Sequence, residues 1–231
     1  MDVGATDLQA LIFDFDGLMV DSERVEADSV IDALAGWGVA VSYQDFGHLF
    51  GSVDADQEWN ALLQGWCGRT AKELDDQIRT AVRPEKDALP LMPGVRELLH
   101  QASQRGMCIG LGTGNTLSNV KKRLGRHGVF DRFDAIVTRQ EVRHGKPAPD
   151  IYLEVAHRMG VSPDTCLVLE DSVPGCQAAL AAGMQVVACP SVVTAHCQFP
   201  HGIQFVTSLL HVSLSASATA DSSGAVGQLK D

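Results

Sequence analysis

Short apolar runs that close on a turn or a polar residue recur along this chain, separated by stretches whose apolar positions fall three or four residues apart. The first run, Leu11-Ile12-Phe13, continues through Asp14-Phe15-Asp16 to Gly17 and reads as a buried strand entering a turn. From about Ser22 to Asp87 the texture turns helical. Val25, Ser29, Ala33 and Leu34 follow a rough helical spacing, Gly36 and Gly38 punctuate its end, and further helices are expected at about 43–50, 54–63 and 71–82. No strand is expected in this stretch, and Pro84 and Pro90 mark its exit.

Beyond Pro93, helix and strand alternate. Val95, Leu98, Leu99 and Ala102 make one apolar helix face, with Gly106 as its cap. Strands are expected at 107–112, 135–138, 166–169, 185–188 and 204–206, and helices at 117–127, 150–159 and 173–182. Such alternation predicts βαβ units, hence an α/β fold with a parallel sheet covered on both faces. The expected organisation is a core from residues 1–19 and 88–211 and an all-helical insert at 20–87. A tail at 212–231, rich in Ser, Ala and Gly, lacks material for a packed core and is expected to be disordered.

Composition narrows the partners. A chain of 231 residues that is 45% hydrophobic can bury a substantial core, but a net charge of −11 argues against nucleic acid or an anionic membrane surface. A phosphate-binding protein of this charge needs cations placed locally. No apolar run is long enough to span a membrane, and Asp2 and Asp7 stand where a signal peptide would carry basic residues. The six cysteines form no C-x-x-C pair, so reduced thiols and a cytoplasmic setting are expected. The histidines show no metal-ligand spacing; His144, near Lys146, is the one singled out. The basic run Lys121 to Arg126 reads as a solvated helix face, and Trp37, Trp59 and Trp66 read as packing in the insert. The same solvated reading is given to Arg69, Lys72, Arg79 and Arg83 of the insert, any of which could alternatively face a substrate.

The candidate chemistry lies at strand ends. A buried strand has no packing use for Asp, yet Asp14 and Asp16 close the first run, and Glu170 and Asp171 close the fourth. Thr113 ends the second strand and Lys146 sits in the loop after the third. Ligands of open parallel sheets bind beyond these carboxyl ends, so the fold would gather all of them. Clustered carboxylates without His or Cys suit a hard cation such as Mg2+. Asp14 could then attack a phosphate to give an aspartyl-phosphate, Asp16 could handle the proton of the leaving oxygen, and Lys146 and Thr113 could meet the phosphoryl charge.

Four segments carry a resemblance: Asp14-Phe15-Asp16-Gly17-Leu18-Met19-Val20-Asp21-Ser22, Leu111-Gly112-Thr113-Gly114-Asn115, Gly145-Lys146-Pro147-Ala148-Pro149-Asp150 and Leu169-Glu170-Asp171-Ser172. In type, order and spacing they resemble the four motifs of the haloacid dehalogenase-like hydrolases, and most closely the β-phosphoglucomutase-like branch of sugar-phosphate phosphatases and mutases. The resemblance implies a Rossmann-like core with a helical cap inserted after the first motif. It implies Asp14 as nucleophile and Asp16 as acid/base, and Thr113, Gly114, Asn115 and Lys146 around the phosphate. Asp14, Asp16 (through its backbone carbonyl), Glu170 and Asp171 would lie around Mg2+, Glu170 as a ligand or as a partner behind one.

The expected activity is hydrolysis of small phosphorylated metabolites, sugar phosphates foremost, by a monomer or homodimer. The β-phosphoglucomutases carry a His where this chain has Glu26 and an Arg where it has Asp54, which favours hydrolysis over the alternative of a phosphomutase. A second alternative, a phosphoacceptor or binding protein without turnover, has no need of Asp16 or a cap.

Overall fold

The computed structural model describes residues 8–52, 55–79 and 88–214. Six parallel strands, β1 (Ala10–Phe13), β2 (Cys108–Thr113), β3 (Ala135–Thr138), β4 (Cys166–Glu170), β5 (Gln185–Ala188) and β6 (Gln204–Phe205), form one sheet in the order β3-β2-β1-β4-β5-β6. This is a Rossmann-like α/β arrangement, with β1 central. Its residues alternate between two apolar layers: Leu11 and Phe13 pack on one side, Ala10 and Ile12 on the other. A strand buried on both faces explains the unbroken apolar run seen in the sequence.

Helices cover both faces. On one lie α5 (Val95–Gln104) and α6 (Leu117–Arg126), which bury Leu98, Leu99, Val120 and Leu124; on the other lie α7 (Asp150–Met159) and α8 (Val173–Ala181), which bury Ile151, Val155 and Ala178. The register aligns Phe13 with Leu111 on β2 and with Leu169 on β4. Asp14, Gly112 and Glu170 therefore stand in one row at the carboxyl edge, where the strand order reverses direction and a crevice opens.

Between β1 and β2 come α1 (Ser22–Gly36), α2 (Tyr43–Phe46), α3 (Asp56–Cys67) and α4 (Ala71–Arg79). They share a separate apolar cluster that includes Ala27, Val30, Leu34, Phe46, Leu63 and Leu74, with Trp37, Trp59 and Trp66 packed at its edge. Helix α3 runs past the expected stop at residue 63 to Cys67, where Gly68 takes the left-handed conformation suited to a helix end. Two connections join insert to sheet and run alongside one another: Val20 bridges Leu91 in antiparallel fashion, and Met92 N donates to Met19 O at 2.8 Å.

One further boundary differs from expectation. The packed chain extends past 211, because Val212 and Leu214 are buried beside α5 and Leu214 N donates to Gln101 Oε1 at 3.2 Å. Residues 215–231, the remainder of the expected tail, lie outside the described residues, as do Asp54, Arg83 and Pro84. All six cysteines are free thiols. No helix among the described residues is long and apolar enough to cross a membrane.

Candidate active site

Asp14 follows directly on β1, and its amide donates to Leu169 O on the neighbouring strand at 3.0 Å. Asp14 is 5% exposed, and its carboxylate meets the ammonium of Lys146, which enters from the loop after β3. The same ammonium donates to Glu170 Oε1 at 2.7 Å. Burial disfavours the Lys146 charge, but Asp14 and Glu170 more than offset it and hold the pKa well above the ordinary lysine value. Burial pushes Asp14 up to about 8, against the pull of Lys146 and with the push of Glu170. Glu170 is likewise opposed by burial, yet Lys146 keeps it below the usual carboxylate range.

Glu170 is held by five donors: Lys146 and Tyr152 OH on Oε1, and Asp171 N, Ser172 N and Ser172 Oγ on Oε2. Tyr152 reaches it because α7 lies unusually close to β2. A Cβ on Gly112 would stand 2.8 Å from Ile151 Cγ2 and 3.0 Å from Tyr152 Cε1, so only glycine permits this approach. Ser172 in turn caps α8 by accepting from Gly175 N at 3.2 Å.

Asp16 lies where the chain turns at Gly17, which has φ +84°. Its carboxylate accepts from Ser22 Oγ at 2.5 Å, Asn115 Nδ2 at 2.8 Å and Arg123 at 3.0 Å. These donors come from the start of the insert, the loop after β2 and helix α6. Thr113 is buried, and its hydroxyl accepts from Asn115 N at 3.0 Å.

Asp171 contrasts with Glu170: both its oxygens are buried without a hydrogen-bond donor. Burial, then Glu170 and Asp14, push its pKa well above the carboxylate range. Asp14, Glu170 and Asp171 each offer an oxygen within 4.8 Å of the others, an all-oxygen trio suited to a hard divalent cation. The donorless oxygens of Asp171 fit that reading, since a buried carboxylate with no donor is stabilised by a cation.

A cavity of about 890 Å³ opens over this edge. Asp14, Asp16, Thr113, Gly114, Asn115 and Lys146 line its sheet side; Glu26, Leu49, Phe50, Trp59, Lys72 and Ile78 are among those lining its insert side. Six sequence-selected residues thus meet at one wall, with Glu170 and Asp171 buried behind them. Lys72 faces the cavity, whereas Arg69 pairs with Glu73 at 3.1 Å and stacks on Trp37. Nothing of the Arg79 side chain falls within the described residues. His144 pairs with Asp150 at 3.1 Å and is not part of the cavity wall.

Three residues in contact with the site were not singled out by the sequence. Arg123 is 7% exposed and paired with Asp16, not on a solvated face as its basic neighbours suggested. The signal was its spacing: Val120, Arg123 and Leu124 form the buried stripe of α6. Tyr152 is the second, on the apolar stripe of α7, and Glu23 the third, on the stripe that continues with Ala27, Val30 and Leu34. A charged residue on an apolar stripe is the mark of a buried partner.

A family model of haloacid dehalogenase-like hydrolases matches residues 8–183. The chain is 34% identical over 185 residues to hexitol phosphatase B of Escherichia coli K12, covering 79% of this chain and 83% of that protein. It is 33% identical over 189 residues to the fructose-1-phosphate phosphatase YqaB of the same organism, covering 77% and 94%. Among solved structures, CbbY from Rhodobacter sphaeroides in complex with phosphate superposes with a TM-score of 0.70 at 25% identity, covering 89% of this chain and 97% of that one.

Proposed function

The chain belongs to the haloacid dehalogenase-like hydrolase family and is a phosphoric monoester hydrolase; from that premise we propose a Mg2+-dependent phosphatase of small sugar phosphates that works through an aspartyl-phosphate. The observation that carries this is the Asp14 carboxylate on the cavity wall, with the Lys146 ammonium bound to it. A nucleophile and a phosphate-binding cation on one spot of a concave wall suit phosphoryl transfer.

In the first step an Asp14 oxygen bonds to phosphorus as the ester P–O bond breaks, and Asp16 gives its proton to the departing alcohol. In the second, Asp16 takes a proton from water as that oxygen attacks phosphorus, which frees Asp14 and releases phosphate. Lys146 and the Thr113 hydroxyl meet the phosphoryl oxygens, with Gly114 and Asn115 beside them. Asn115, Ser22 and Arg123 hold Asp16 in place. Asp14, Asp171 and Glu170, with the backbone carbonyl of Asp16, would hold Mg2+, which neutralises phosphoryl charge when bound. The helical insert, residues 20–87, acts as a cap that closes over the cavity and excludes water during transfer.

Sugar phosphates are favoured by the cavity's size and by the relatives named for hexitols and fructose 1-phosphate. Glu26 on the cavity wall, where the mutases carry His, supports hydrolysis over isomerisation. The test is release of inorganic phosphate from hexitol phosphates, fructose 1-phosphate and β-glucose 1-phosphate, with Mg2+ and with EDTA. Metal-dependent release without isomer is expected. Conversion of β-glucose 1-phosphate to the 6-phosphate without net release would establish the mutase instead, and no turnover of any ester would leave a phosphoacceptor.

A further inference from the structure

Glu23 sits in the first turn of α1, so it belongs to the helical insert, yet it is only 6% exposed and lies against Asp171 of the core. Its Oε2 is buried without a hydrogen-bond donor, as are both oxygens of Asp171. Two of these atoms, Asp171 Oδ2 and Glu23 Oε2, lie by the same turn. A Cβ built on Gly17, in the turn between them, would stand 2.1 Å from Asp171 Oδ2 and 2.9 Å from Glu23 Oε2. Asp171 Oδ2 and Glu23 Oε2 thus converge in a buried place with no nitrogen or hydroxyl to bond them, an arrangement that costs roughly several kcal/mol per charge unless a cation is present. Glu23 is outside the tight trio of Asp14, Glu170 and Asp171, which places it one layer further out.

We propose that Glu23 is part of the cation's shell, accepting from a water that the bound Mg2+ carries, so that the ion ties the first helix of the insert to the sheet. This rests on reading the acid trio as the Mg2+ site. Mg2+ keeps several of its waters when protein-bound, and carboxylates that hold such groups typically carry 10–100-fold in metal affinity.

The test is calorimetric titration of the full chain with Mg2+, comparing wild type with Glu23→Gln, which keeps the shape and removes the charge. Asp32→Asn, an exposed acid on the same helix, controls for general electrostatics. The expected result is a Kd about 10–100-fold weaker for Glu23→Gln and within about twofold for Asp32→Asn. Equal affinity in wild type and Glu23→Gln overturns the role of Glu23 while leaving the metal site standing; no Mg2+ binding by wild type removes both. A second measurement needs no variant. Mg2+ added to wild type should slow amide exchange in the first turn of α1, and protection confined to the ends of β1 and β4 would overturn the proposal even if Glu23→Gln failed to fold.

Discussion

At the scale of single residues, two acids separated by one residue stand in different surroundings. Asp14 is buried against an ammonium, whereas Asp16 is held by Ser22, Asn115 and Arg123 at the cavity wall. Asp14→Asn should abolish phosphate release with the circular dichroism spectrum unchanged, since the amide keeps the shape and removes the proposed nucleophile. Asp16→Ala should lower kcat by roughly 10²- to 10⁴-fold, the usual worth of an acid/base group; a drop below about threefold in steady-state assays would remove Asp16 from that role. The acids at strand ends could be picked out in the sequence because a buried strand has no packing use for them. Arg123, Tyr152 and Glu23 leave a fainter trace, a polar residue in register with an apolar helical stripe, and only the fold reveals what covers that stripe.

At the scale of elements, the fold follows from apolar periodicity. Continuous runs such as Leu11 to Phe13 and Cys166 to Leu169 are the central strands, and helices with apolar residues at i, i+3 and i+4 cover them. Boundaries were less readable where a terminus depends on packing: α3 outruns its predicted end because Trp66 and Cys67 pack against the insert's cluster. The close approach of α7 to β2 was likewise hidden, although its cause, Gly112, is written in the chain. Gly112→Ala would press a methyl onto Ile151 and Tyr152 and lift the helix that holds Tyr152 to Glu170. The expected cost is about 1–3 kcal/mol, as for other overpacked sites, read from the urea midpoint. An unchanged midpoint would show that α7 shifts without loss.

Across the whole molecule, the described residues of the insert and the sheet form separate apolar clusters, and particular contacts join them. Val193, from the loop after β5, is one. It is fully buried in the insert's cluster, while its neighbour Thr194 donates through Oγ1 to Asp171 O at 2.6 Å. One turn of chain thus grips both the insert and the residue that follows β4. Val193→Ala removes about two buried methylene equivalents and should cost roughly 1.5–3 kcal/mol. The denaturation midpoint measures it; no change would mean that the insert is not secured at this point.

All three tryptophans of the chain, Trp37, Trp59 and Trp66, sit in the helical insert, and the sheet has none. Indole emission is therefore a signal from the insert alone, while far-ultraviolet ellipticity sums over insert and core. Trp59 also borders the cavity, so its quenching follows whatever enters there without any dye or label attached.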